Sequence, residues 1–211
     1  IMKDTITILS IFSQKIIVVA SITPSIQMLS KIRSMTPIPV VGVNIPLKEA
    51  SKTTKKKHIG ILGTKATIKS KHLDERIKSD VPQDIFVTKF DASAIIEMVE
   101  KGIFLKDNEY THDTISKTLE GLKDTNLDVL VLSSTHLSFV RSNIISMYPS
   151  IKVIDPALNA VKEIRQFLKT NNNLRKSGQG RISIIVNGDK NEFQELLKEM
   201  GLPGPVERYE R

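Results

Sequence analysis

Three observations predict an α/β fold built on parallel sheet. Short β-branched runs alternate with helical patterns along the whole chain, the arrangement expected of a sheet covered by helices. The strongest runs are apolar at every position, as in Val129-Leu130-Val131-Leu132, so both faces need covering. Several of these runs end in small or hydroxyl-bearing residues directly before a helical segment.

The elements follow in order. A strand is predicted at 15–20 (K-I-I-V-V-A), closing on Ser21, with a helix at 25–33. The run P-V-V-G-V gives a strand at 39–43, followed by a helix at 47–53. H-I-G-I-L predicts a strand at 58–62 that enters the turn Gly63-Thr64, before a helix at 68–79. A strand at 84–90 precedes a helix at 92–101, which stops before Gly102. A helix at 114–125 leads to the buried strand 128–132 and its end, Ser133-Ser134. A helix at 140–147 and a strand at 151–154 come next. Asp155-Pro156 then marks a strand end with proline in the first turn of a helix, which continues over 158–171. Residues 173–180 are polar and contain glycine, so they read as a loop before a last strand at 181–186 and helix at 191–200.

One internal echo organises the whole. Ile16-Ile17-Val18-Val19-Ala20-Ser21-Ile22-Thr23 resembles Val129-Leu130-Val131-Leu132-Ser133-Ser134-Thr135-His136 at a spacing of half the chain. It predicts two similar lobes, each contributing one strand end to a shared cleft. Ligands of open α/β sheets bind beyond the carboxyl ends of the strands.

Composition narrows the function. The 211 residues are 40% apolar and 26% charged, an ordinary globular balance. No cysteine is present, which excludes disulfides, thiolate metal sites and thiol nucleophiles. Net charge is +8 and the isoelectric point is near 9.6. The dense basic stretch Lys55-Lys56-Lys57-His58 has no interleaved aromatic residue on which a base could stack, and it runs into a strand. Nucleic acid is therefore disfavoured as a partner. No apolar run approaches the roughly 18 to 20 residues needed to cross a bilayer. Charged and polar residues interrupt the apolar stretch 6–12, and no small-residue cleavage site follows. A cytoplasmic protein is expected.

Four segments offer chemistry. Gly60-Ile61-Leu62-Gly63-Thr64-Lys65-Ala66-Thr67 leads from strand to helix, where backbone N–H groups and the hydroxyls of Thr64 and Thr67 could hold a carboxylate. The spacing matches neither a nucleoside-triphosphate loop nor a dinucleotide loop, and the plain alternative is threonine capping a helix. Ser21 and Ser134 each stand at a strand end, where serine caps helices well. His136 has an acid–base role open to it, yet Ser134 with His136 lacks the G-x-S-x-G elbow of a serine hydrolase. Glu100 sits at a helix C-terminus, where the dipole disfavours a carboxylate; it is either simply exposed or held by another interaction.

Taken together and in order, these segments resemble glutamate racemase over nearly the whole chain. Val18-Val19-Ala20-Ser21-Ile22-Thr23 is similar to the V-V-A-C-N-T of that family, and Ile38-Pro39-Val40-Val41-Gly42-Val43 to its I-P-V-V-G-V. Gly63-Thr64-Lys65-Ala66-Thr67-Ile68-Lys69-Ser70 agrees with G-T-K-A-T-I-K-S throughout. Met98-Val99-Glu100-Lys101-Gly102 resembles L-V-E-E-G, and Leu132-Ser133-Ser134-Thr135-His136 resembles L-G-C-T-H. Ile154-Asp155-Pro156, Ser177-Gly178-Gln179-Gly180-Arg181 and Asn187-Gly188-Asp189 follow the family's tail.

The resemblance implies two pseudo-symmetric lobes, residues 1–44 with 157–211 and residues 45–156. Glutamate would bind between them, with no cofactor and no metal. Two cysteines on opposite faces of the α-carbon would exchange its proton, yielding D-glutamate for peptidoglycan. By position, Thr23, Thr64, Thr67 and Thr135 would bind substrate, and His136 and Glu100 would support the second base. A homodimer is left open.

Three departures change the expectation. Ser21 and Ser134 occupy both cysteine positions. A thiol loses its proton near pH 8.5, whereas a serine alkoxide is scarce at neutrality, so each replacement implies a loss of orders of magnitude in rate. Ile22 stands where the family has asparagine. The family's opening D-S-G-x-G-G segment and its Y-G loop have no counterpart in a chain whose first residue is Ile1. A truncated sheet with an unpaired edge and exposed apolar surface is the corresponding expectation.

Overall fold

The computed structural model describes residues 2–10, 12, 14–122, 124–178, 180–202 and 204–209, without the side chains of residues 2–4 and 10. Ile1 and, in the tail motif, Gln179 lie outside the described residues.

In chain order, helix α1 (Met2–Ser10) precedes strand β1 (Ile17–Val19), helices α2 (Ile22–Gln27) and α3 (Leu29–Arg33), and strand β2 (Val40–Gly42). Helix α4 (Leu47–Thr53) leads to β3 (His58–Gly63), the short α5 (Lys65–Ile68), α6 (Lys71–Asp80), β4 (Phe86–Asp91), α7 (Ser93–Glu100) and α8 (Asn108–Thr118). Then come β5 (Val129–Leu132), a 3₁₀ turn Thr135–Val140, α9 (Arg141–Met147), β6 (Lys152–Ile154), α10 (Pro156–Thr170), β7 (Ile184–Val186), α11 (Lys190–Glu199) and β8 (Val206–Arg208).

All of these strands pair in parallel. β3, β4, β5 and β6 form a sheet in the order β4-β3-β5-β6, with Ile59 opposite Val87 and Val129. β1 pairs with β2, Ile17 opposite Val40, and β7 pairs with β8, Ile184 opposite Val206. The mainly parallel α/β class expected from the alternation is what forms.

Burial explains the all-apolar runs. Leu130 and Leu132 of β5 point to one face, packed with Ile95, Met98 and Ile115 of α7 and α8. Val129 and Val131 point to the other, packed with Leu47 and Leu73 of α4 and α6. All four β5 side chains are buried, and each large one contributes about 1.5–3 kcal/mol by leaving water. A third, smaller cluster joins Ile6, Ile17, Ile32 and Val40 around β1 and β2.

Several boundaries differ from the expectation for local reasons. The helix expected at 25–33 begins at Ile22, because Pro24 sits in a first turn where its missing N–H is not needed, and it breaks at Met28. The helix expected at 114–125 begins at Asn108, since the Asp107 carboxylate caps it by accepting the Tyr110 N–H at 2.8 Å. The 68–79 helix starts instead after Ser70, whose hydroxyl accepts the Leu73 N–H. β8 was not foreseen: three mostly exposed residues carry no alternation to read. It is held by its ladder to β7 and by the Gln194 side chain, which accepts the Val206 N–H at 3.0 Å.

Among the described residues no helix is long and apolar enough to cross a membrane.

Candidate functional site

The site residues fall at the carboxyl ends of β1, β3 and β5. β1 delivers Ser21 in extended conformation to the N-cap position of α2, but its hydroxyl makes no capping bond. Among the described residues nothing hydrogen-bonds that hydroxyl. Its place is fixed instead by Ser25 one turn on, a buried side chain that sequence reasoning missed. The Ser25 hydroxyl lies 2.9 Å from the Val19 carbonyl and 2.6 Å from the Ser21 carbonyl, and accepts the Val43 N–H at 3.0 Å. One hydroxyl thus ties the end of β1 to the end of β2. A Cβ on Gly42 would come within 2.8 Å of it, so glycine there keeps the space open. The serine four residues after Ser21, together with that glycine, was the available signal.

β3 ends in the Thr64 turn. Thr64 caps α5 by accepting the Thr67 N–H at 3.1 Å, and the two hydroxyls lie 2.9 Å apart. The plain reading of this segment, threonine as helix cap, therefore holds. The adjoining Lys65 N–H is donated to the Ser93 hydroxyl, which donates in turn to the Asp91 carboxylate at 2.6 Å. That hydroxyl bond lowers the Asp91 pKa against the opposing effect of burial. Thr67 shares a cavity of about 90 Å³ with Thr23, Ile22 and Ile26 of α2 and Ile45, so two of the expected substrate threonines face one space.

β5 delivers Ser133, Ser134, Thr135 and His136. Ser133 is buried, and its hydroxyl donates to the Leu62 carbonyl at 2.9 Å. Ser134 caps the 3₁₀ turn by accepting the His136 N–H at 3.3 Å, and its hydroxyl also lies 3.3 Å from Nδ1 of His136. His136 Nε2 lies 3.4 Å from Oε1 of Glu100, at the end of α7. Glu100 is thus exposed, as the plain reading expected, and also in contact with His136. Both side chains are substantially exposed, 43% and 58%, so the pair orients the imidazole far more than it stabilises the fold. Glu100 and His136 also line a cleft of about 630 Å³ with Phe139 and α11.

A hydrogen bond joins the two echoed strand ends. The Thr135 hydroxyl donates to the Ala20 carbonyl at 3.2 Å, across 115 residues of sequence. Thr135 is the neighbour of Ser134 and Ala20 the neighbour of Ser21, so the two echoed strand ends meet. Behind the site, Asp155 is buried, caps α10 through the Ala157 N–H and accepts the Ser138 hydroxyl, both at 2.8 Å. It anchors the far end of the turn that carries His136, a role the sequence reading did not assign to it. Among the described residues no three His, Asp or Glu side chains gather as metal ligands.

The parallel α/β architecture thus brings two strand ends together beside a histidine–glutamate pair. Comparison with known proteins is specific. Asp/Glu/Hydantoin racemase sequences match residues 11–164. Glutamate racemase of Sulfurihydrogenibium sp. (strain YO3AOP1) is 32% identical over 185 residues, 87% of this chain and 68% of that protein. Other curated relatives are covered over 45–66% of their own lengths. Glutamate racemase isoform RacE1 from Bacillus anthracis superposes with a TM-score of 0.82 at 24% identity, over 98% of this chain and 78% of that one. Escherichia coli glutamate racemase, in complex with L-glutamate and the activator UDP-MurNAc-ala, gives 0.81 at 18% identity, over 98% and 78%. At these identities the structures establish the fold. The chain belongs to the Asp/Glu/hydantoin racemase family.

Proposed function

We propose that this chain keeps the glutamate pocket of a cofactor-independent racemase and lacks the thiols needed to interconvert L- and D-glutamate at a useful rate. The observation that carries this reading is the Thr135–Ala20 hydrogen bond, which sets one serine beside each of two meeting strand ends. Two-base racemisation needs a proton acceptor on one face of the α-carbon and a donor on the other. Ser21 and Ser134 would hold those positions, with Thr23, Thr64, Thr67 and Thr135 around the substrate and His136 with Glu100 behind Ser134. A serine hydroxyl in each place removes the readily ionised group that the reaction requires.

Residues 1–44 with 157–211 are taken as one lobe and 45–156 as the other. In support, the smallest apolar cluster draws only on the first and the largest only on the second, while the remaining one joins them. The product of the ancestral reaction is D-glutamate for peptidoglycan, and the cytoplasm is its place.

Calorimetry and chiral chromatography separate binding from turnover. Glutamate should bind at micromolar to millimolar Kd, about −8 to −4 kcal/mol, while its enantiomers interconvert at or near background; aspartate serves as the competing ligand. Ser21→Cys/Ser134→Cys should raise interconversion by orders of magnitude. Rapid racemisation by the unaltered chain would overturn the reading, as would absence of binding.

A further inference from the structure

The connection from β7 to α11 is Asn187-Gly188-Asp189, exposed at every residue. Asn187 is the one asparagine of the sequence that precedes glycine; every other is followed by a residue carrying a Cβ. Neither backbone nor packing requires glycine there. Gly188 lies outside the left-handed region, and a Cβ built on it would meet no atom within 4 Å. What glycine brings at this position is an unshielded main-chain nitrogen beside a side-chain amide. The segment is anchored at both ends. The β7–β8 ladder holds one, and at the other the Asp189 carboxylate accepts the Asn191 and Glu192 N–H groups at 2.8 and 3.0 Å. Rotation is thereby confined to the Asn-Gly pair.

We infer that Asn187 is a self-modification site, at which the Gly188 nitrogen converts the asparagine to a cyclic imide that water opens to aspartate or isoaspartate. In the first step the bond from Gly188 N to Asn187 Cγ forms and the Cγ–Nδ2 bond breaks. The departing nitrogen leaves as ammonia, carrying the proton lost from the Gly188 amide. Water then adds to one of the two imide carbonyls. Cleavage at Cγ gives aspartate, and cleavage at the main-chain carbonyl gives isoaspartate. Water is the only co-reactant.

Both products place a carboxylate on the wall of the 630 Å³ cleft that Asn187 shares with Glu100, His136 and α11. Aspartate leaves the main chain unaltered, and its charge suits the N-terminus of α11. Isoaspartate routes the chain through the former side chain, adding a methylene to the backbone just before the cap. Asp189 is then displaced from the first N–H groups of α11, which loosens the part of the cleft wall formed by Phe193, Leu196 and Leu197.

The test ages the whole chain in mildly alkaline buffer beside a synthetic peptide of residues 184–193. Peptide mass mapping and enzymatic isoaspartate methylation follow both. Opening an exposed connection costs close to nothing, so Asn187 should convert within about tenfold of the peptide's rate and ahead of every other asparagine. Gly188→Ala, for which the structure has room, should slow conversion at least about tenfold by shielding the nitrogen. Hydrogen exchange of the α11 amides should quicken in the aged chain and not in aged Gly188→Ala. Slower conversion than the stated range overturns the inference, as does equal conversion in Gly188→Ala. Unaltered α11 protection after isoaspartate has formed overturns the loosening of the cleft wall.

Discussion

Gly63 and Ser133 offer a perturbation whose size follows from the geometry. They close adjacent strands, immediately before Thr64 and Ser134, and Ser133 donates to the Leu62 carbonyl between them. A Cβ on Gly63 would lie 2.0 Å from Ser133 Oγ, and 3.4 Å from its Cβ and 3.5 Å from Ile68 Cγ2. Only the hydroxyl is in the way. Gly63→Ala must push that hydroxyl out of its bond or move the strand ends apart, costing about 1–3 kcal/mol for overpacking and ~1 kcal/mol for the bond. Ser133→Ala alone should cost only about 0.5–1.5 kcal/mol, because the Leu62 carbonyl still accepts the Ser133 N–H at 2.8 Å. The double variant removes the obstructing atom, so its cost should fall near that of Ser133→Ala, a non-additivity of about 2–4 kcal/mol. Urea unfolding with unchanged slope measures all three. Additive losses, within about 0.5 kcal/mol, would refute the steric argument.

Further outcomes follow from other contacts. Ser25→Ala should cost about 1–2 kcal/mol, since the Val43 N–H keeps only its 3.2 Å bond to Val19. In a chain of this size that lowers Tm by about 2–8 °C, and a change below one degree would contradict the assigned role. Thr135→Val should weaken glutamate binding measured by calorimetry while costing stability only about 0.5–1.5 kcal/mol; unaltered affinity would argue against a strand-end pocket. Asp128 tests linkage to pH. Burial raises its pKa, but bonds from the Thr54 hydroxyl and the Lys55 and Lys56 N–H groups outweigh this and hold it below 3.8. Because the folded value is depressed, its stabilisation is present above the unfolded pKa and disappears as pH falls through the folded one. Asp128→Asn should therefore cost about 1–3 kcal/mol at pH 7 and flatten the loss of stability in acid; an unchanged acid limb would exclude the mechanism.

Much of the architecture was legible in sequence because local signals agreed. Buried parallel strands read as unbroken apolar runs, and Asp155-Pro156 announced both a strand end and a helical first turn. The misses lie where tertiary contact overrides local pattern. β8 exists through its ladder to β7 and the Gln194 side chain, and the early start of α8 depends on which nearby residue acts as cap. In the site, Thr64 and Ser134 declared themselves as caps. Ser25 and Asp155 did not, because a serine or aspartate becomes structural only when burial removes its water and leaves protein atoms as partners.

The sequence by itself determined the parallel α/β class, the family resemblance and the absence of any thiol, since these follow from residue identity and short-range periodicity. Tertiary structure alone decided that Thr135 would reach Ala20, that Glu100 would meet His136 and that Ser21 would stand without such a partner. Those pairings join residues tens to more than a hundred positions apart. They are set by how strands are ordered and packed in the sheets, which no local stretch of chain encodes.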